Sequence, residues 1–129
     1  MGFFDKIFGS DKEKEEERWY EIRTTQEMDN VIMASSERPQ VILKHSNSCG
    51  VSFFAKQNLD SIPSEKLEDA DLYIIDVIRY RDVSYYLADK FNIRHESPQV
   101  FVIKDKEVVW NGSHGRVNAD NVVQSLTIA

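Results

Sequence analysis

Two continuous apolar runs, Val41-Ile42-Leu43 and Leu72-Tyr73-Ile74-Ile75-Asp76-Val77, constrain this chain more than any other feature. Apolar residues without alternation mark strands covered on both faces, as in the parallel sheets of α/β folds. Between the runs, Val51, Phe54, Ala55, Asn58 and Leu59 recur at helical spacing, which supplies the crossover helix that parallel strands need. Upstream, Trp19-Tyr20-Glu21-Ile22 reads as a short strand. Thr24-Thr25-Gln26-Glu27 is a capping-box signature opening a helix with Met28, Val31 and Ile32 on one face, and Pro39 ends that segment. Downstream, Asp82 is placed to cap a helix whose Val83, Tyr86, Leu87 and Phe91 point one way. Gln99-Val100-Phe101-Val102-Ile103 and Glu107-Val108-Val109-Trp110 then flank the loop Lys104-Asp105-Lys106 as an antiparallel hairpin. A last helix runs from about Asn118 to Leu126 and buries Val122, Val123 and Leu126.

The order βαβαβα, hairpin, helix predicts an α/β fold. Its central mixed sheet has parallel strands plus a C-terminal antiparallel hairpin, with helices on both faces. A chain of 129 residues with 41% hydrophobic content suits one such domain, expected over residues 19–129. Residues 1–18 differ: Phe3, Phe4, Ile7 and Phe8 fall at helical spacing and a nearly all-charged run follows, so they read as a leader outside the fold. A short amphipathic foot without a basic face binds lipid weakly, so membrane contact through residues 1–8 is not expected. Lys6 occupies the place where a myristoylation motif wants Ser or Thr. The 16 basic and 22 acidic residues leave a net charge of −6, which argues against a nucleic-acid partner. A single cysteine allows no internal disulfide and points to a reducing compartment. With no signal-peptide pattern and no apolar run near the ~20 residues of a membrane span, the expected location is the cytoplasm.

That cysteine, Cys49, lies where the apolar run Val41-Ile42-Leu43 gives way to the helical pattern. A thiol at a helix N-terminus meets unpaired backbone N–H groups and the positive end of the helix dipole, which favour the thiolate. Lys44 and His45 are candidates to add positive charge. The element order is that of the thioredoxin fold, whose active tetrapeptide is Cys-x-x-Cys or Cys-x-x-Ser. Here it is Cys49-Gly50-Val51-Ser52, with Ser52 a candidate donor to the thiolate. Ser97-Pro98 stands just before the hairpin, where such folds hold a cis-proline against the active thiol and leave the preceding backbone free for substrate.

The sequence resembles the monothiol bacilliredoxins, bacterial thioredoxin-fold proteins that use the small thiol bacillithiol. The resemblance runs from about Trp19 to the C-terminus. It is carried by Lys44-His45-Ser46, by Arg81 with Ser84, by His95-Glu96-Ser97-Pro98-Gln99, and by Trp110 with Ser113-His114. The family usually shows Thr-Cys-Pro-Ile-Ser; this chain has Ser48-Cys49-Gly50-Val51-Ser52, closer at Gly50 to the Cys-Gly-Phe-Ser loop of monothiol glutaredoxins, some of which carry iron–sulfur clusters. The resemblance implies an oxidoreductase that removes a low-molecular-weight thiol, the co-substrate, from S-thiolated client proteins. Cys49, Ser52 and Pro98 would serve the chemistry, and Lys44, His45, Gly50, Arg81, Ser97 and His114 would hold the small thiol.

Arg81 has two readings, a cation for an anionic group of the small thiol or one half of a solvated ion pair. His114 likewise either helps place the thiol or is a structural histidine. Trp110, Tyr85 and Tyr86 read as packing residues. His45, His95 and His114 lack the spacing of a zinc site, and no metal is expected. Two other classes stay open: an iron–sulfur carrier in which two subunits each give Cys49, and a redox-inert adaptor. The reading leaves room for a weak homodimer.

Overall fold

A computed structural model describes residues 18–128, so the leader lies outside the described residues except for Arg18. The elements are β1 (Tyr20–Glu21), α1 (Thr25–Ala34), β2 (Gln40–His45), α2 (Gly50–Asp60), β3 (Asp71–Asp76), α3 (Arg81–Phe91), β4 (Gln99–Lys104), β5 (Glu107–Ser113) and α4 (Ala119–Leu126). They form a five-stranded sheet in the order β1-β3-β2-β4-β5. β1 and β2 pair parallel to β3, whereas β4 pairs antiparallel to both β2 and β5.

Side chains alternate along β2, so the sheet divides the core in two. Val41 and Leu43, with Val100 and Val102 of β4, pack against Ala55 and Leu59 of α2 and Val122 and Leu126 of α4. Ile42, Ile75, Phe101 and Ile103 face the other way, onto Met28, Val31 and Ile32 of α1 and Val83 and Leu87 of α3. The expected buried face of α1 is the observed one. Its cap is also observed: the Glu27 N–H donates to Thr24 Oγ1 at 3.0 Å, and Glu27 Oε1 accepts the N–H of Arg23 at 2.7 Å.

Four expectations are corrected. The buried positions of α2 are Ser52, Ala55 and Leu59, while Val51 and Phe54 stand in solvent, so the apolar spacing misplaced the face. α3 opens at Tyr80 rather than Asp82, because Asp76 Oδ1 accepts the N–H groups of both Ile78 and Arg79 at 3.0 Å and turns the chain early. Asp82 falls in the first turn, where its charge complements the helix dipole. The hairpin turn is only Asp105-Lys106, both with positive φ (50° and 67°), and Lys104 belongs to β4. β5 continues past Trp110 to Ser113, with Gly112 lying against the Trp110 ring. The fold also takes in one residue of the expected leader: the Arg18 guanidinium donates to the carbonyls of Asp60 and Ile62.

Candidate functional site

The register places the candidate residues at one end of the sheet. The last residue of β2, His45, is paired with the last of β3, Asp76, and Lys44 is opposite Gln99, the first of β4. Gln99 is in turn opposite Ser113, the last of β5. Cys49 follows β2, Arg81 follows β3, Pro98 immediately precedes β4 and His114 immediately follows β5. All of them therefore emerge at this end.

Cys49 is the N-cap residue of α2 and is partly exposed, as a reactive thiol requires. Its side chain forms no capping hydrogen bond. Its own N–H donates to the Ser46 carbonyl at 3.3 Å, and its carbonyl accepts the N–H of Phe53 at 3.0 Å. Gly50, at the first helical position, has no atom within 4 Å of where a Cβ would stand. Val51, Phe53 and Phe54 are more than half exposed and make an apolar rim beside the thiol, Phe53 and Phe54 meeting edge to face. Helical spacing alone does not reveal this rim, because it groups Val51 and Phe54 with the buried Ala55 and Leu59.

Behind the thiol runs a buried polar chain. Asn47 Oδ1 is an acceptor, so the His45 Nε2–H donates to it (2.9 Å) and leaves Nδ1 bare. The Ser52 hydroxyl then donates to His45 Nδ1 (3.0 Å) and accepts the N–H of Ser46 (3.0 Å). Burial pushes His45 below the ordinary imidazole range, in keeping with a neutral ring. Two expectations change as a result. His45 brings no positive charge to Cys49, and the single proton of Ser52 is committed to His45 rather than to a thiolate. Both residues brace the turn that carries Cys49.

Lys44 points to the opposite face of the sheet and is fully buried. Its ammonium donates to His95 Nδ1 at 3.0 Å and lies 5.3 Å from the centre of the Phe101 ring. Burial brings its pKa down to about 8, against a smaller upward pull from Glu96. It is not a cation beside the sulfur but the anchor of the segment before Pro98. His95 packs on Tyr85 with ring centres 4.6 Å apart, so Tyr85 is a packing residue, as expected, but one at the surface. Burial first, then the charge of Lys44, lowers the His95 pKa; Arg81 adds to that and Glu96 opposes it.

The Ser97–Pro98 peptide bond is cis, as the element order predicts, and the Pro98 carbonyl accepts the N–H of His114 at 2.9 Å. Ser97 Oγ is buried without a hydrogen-bond partner among the described residues. His114, at a positive φ of 55°, reaches Glu96 with Nε2 3.7 Å from Oε1. Arg81 is exposed and forms no salt bridge among the described residues. His95 is the residue the sequence reading left out of the site. The signal for it was its place three positions before Pro98, combined with a register that sets Lys44 opposite Gln99.

A family model described as monothiol bacilliredoxin BrxC matches residues 20–122. Among solved structures, a candidate oxidoreductase with a thioredoxin fold is 32% identical, covers 86% of this chain and 96% of its own, and superposes with a TM-score of 0.76. Oxidised mitochondrial thioredoxin 3 of Saccharomyces cerevisiae is 15% identical, over 87% of this chain and 96% of its own, with a TM-score of 0.67. Fasciola hepatica thioredoxin is 17% identical, over 84% and 96%, at 0.65. The two thioredoxins bear on the fold alone, and that fold is thioredoxin-like.

Proposed function

The chain belongs to the monothiol bacilliredoxin family, and from that membership together with the setting of its one cysteine we propose that it removes a low-molecular-weight thiol from S-thiolated proteins in the reducing cytoplasm. The observation that carries the reading is Cys49 itself: a partly exposed thiol at the start of α2, with a serine rather than a second sulfur at the fourth position of its loop. The Cys49 thiolate attacks the small-thiol sulfur of the client's mixed disulfide. One S–S bond breaks, one forms between Cys49 and the small thiol, and the client leaves as its thiolate. A second small-thiol thiolate then attacks the adduct. It releases Cys49 and carries away both small-thiol sulfurs as a symmetrical disulfide, so one free small thiol is consumed per client and a single S–S bond passes from client to Cys49 to the small-thiol disulfide. Bacillithiol is the small thiol that family membership favours.

Mass spectrometry tests this. Mixing the purified protein with a bacillithiolated or glutathionylated client is expected to add one small-thiol mass to Cys49 and to free the client. Cys49→Ala is expected to show no adduct, and Ser52→Ala to keep the adduct at a changed rate. Clients that stay thiolated, combined with a coloured dimer after anaerobic reconstitution with iron and sulfide, would replace the reading with a cluster carrier.

A further inference from the structure

The Lys44–His95 pair has no part in the exchange just described, yet it is built at the same end of the sheet. A lysine ammonium has only donors, so the 3.0 Å contact makes His95 Nδ1 the acceptor and puts the proton of the neutral ring on Nε2. Tyr85 fixes the ring plane. Nε2 has no hydrogen-bond partner among the described residues, and the ring is partly exposed. Near it are the unpaired guanidinium of Arg81, whose charge His95 feels, and the buried, unpartnered hydroxyl of Ser97 two residues on. These groups offer donors and positive charge; the acidic neighbours are Glu96, held between Arg94 (3.5 Å) and His114 (3.7 Å), and Asp89, which lines the same surface hollow as Tyr85 and His95.

From this geometry we infer that His95 Nε2–H is a binding donor for a carboxylate or carbonyl oxygen on the non-sulfur part of the small thiol, and that Lys44 is the positioning residue that fixes its tautomer. The inference rests on the thiol-removal reading and names the residue that selects the thiol's oxygen end. The groups around His95 are Lys44 from β2, Tyr85, Arg81 and Asp89 from α3, and Arg94 and Glu96 from its own segment; Phe101 of β4 faces Lys44. Burial and the Lys44 charge keep the ring neutral near pH 7, so it presents a donor without itself being a cation.

The test uses the whole chain. Nitrogen-15 spectra of the histidine side chains are expected to show His95 as the Nε2–H tautomer, with Lys44→Met giving mixed tautomers and an upward move of the His95 titration. Titration with bacillithiol or glutathione is expected to shift His95 Nε2. In de-thiolation assays, His95→Phe keeps the stack on Tyr85 but has no N–H; it is expected to raise KM for the small thiol about tenfold, the loss of one hydrogen bond to a charged oxygen, with kcat within about twofold. His95→Gln, which restores a side-chain N–H, is expected to recover part of that loss. Alkylation of Cys49 should proceed at the wild-type rate in both variants. An active wild type whose KM is unmoved by His95→Phe, or whose His95 tautomer is unmoved by Lys44→Met, overturns this inference alone. A wild type that removes no small thiol from either client overturns the thiol-removal reading and this inference with it.

Discussion

Gly50 occupies the first position of α2, yet nothing near it demands a glycine. No atom lies within 4 Å of where a Cβ would stand, and its φ is not in the left-handed range. The preceding residue, Cys49, is already at φ −114° and ψ 123°, the extended region that a following proline imposes. A proline at the first helical position loses only an N–H that the helix leaves unpaired and supplies the φ the helix wants. Gly50→Pro, which restores the family's usual residue, is therefore expected to raise the unfolding free energy by about 0.4–1 kcal/mol through a less free unfolded chain. Urea unfolding monitored by circular dichroism checks it, and a loss of stability would show that the Gly50 N–H has a partner. The same residue-by-residue view separates Lys44 from His45. They are neighbours in sequence, but successive residues of a strand face opposite ways, so one anchors His95 on the α1/α3 side and the other braces Ser52 on the α2 side.

β5 shows how an element hides its own extent. Gly112 sits late in the strand, and a Cβ there would stand 2.8 Å from two atoms of the Trp110 ring and 3.1 Å from Arg116 Cβ. Gly112→Ala must displace the Trp110 ring, which packs against the core, and is expected to cost about 1–3 kcal/mol. Thermal unfolding measures it; an unchanged midpoint would mean that the ring swings away freely. The glycine also explains why this strand was cut short in the sequence, since a residue without a side chain breaks the apolar pattern that announces a strand. β2 and β3 were legible for the opposite reason: strands covered on both faces carry continuous apolar runs. α2 was legible as a helix but not in its facing, because its apolar residues serve two purposes, Ala55 and Leu59 the core and Val51 and Phe54 the rim beside Cys49. In the site, local chemistry could be read, namely Cys49 at the strand-to-helix turn and Pro98 ahead of the hairpin. The Lys44–His95 contact joins residues 51 apart in sequence and depends on the sheet register, which local patterns do not carry.

Among the described residues, three basic groups, Lys44 and His45 buried and His95 partly so, share one sign: the folded state holds protons on them less readily than an unfolded chain does. Wherever the unfolded state binds more protons, stability rises with pH. For the two histidines, both lowered from 6.5, the window lies below that value, so acidification from neutrality is expected to weaken the fold as the unfolded chain takes up protons first. For Lys44, lowered from 10.5 to about 8, the window lies between those two values; below it the fold carries the cost of a buried ammonium, and above about 8 that cost is progressively relieved. Tyr73 and Tyr86 act in the other direction, since both are raised above 10.0, Tyr73 by burial and Tyr86 chiefly by its hydrogen bond to Asp29. Their unfolded forms release protons first, and stability declines once the pH passes the ordinary tyrosine value. These groups together push the stability maximum toward the alkaline side of neutrality. Lys44→Met removes the alkaline rise. Relative to that variant, the wild type is expected to gain on the order of 2 kcal/mol between pH 7 and pH 10. Urea unfolding of both proteins at one-unit pH steps decides it. Two curves that stay parallel through this range would mean that Lys44 keeps an ordinary lysine pKa in the folded protein, and that water reaches it behind His95.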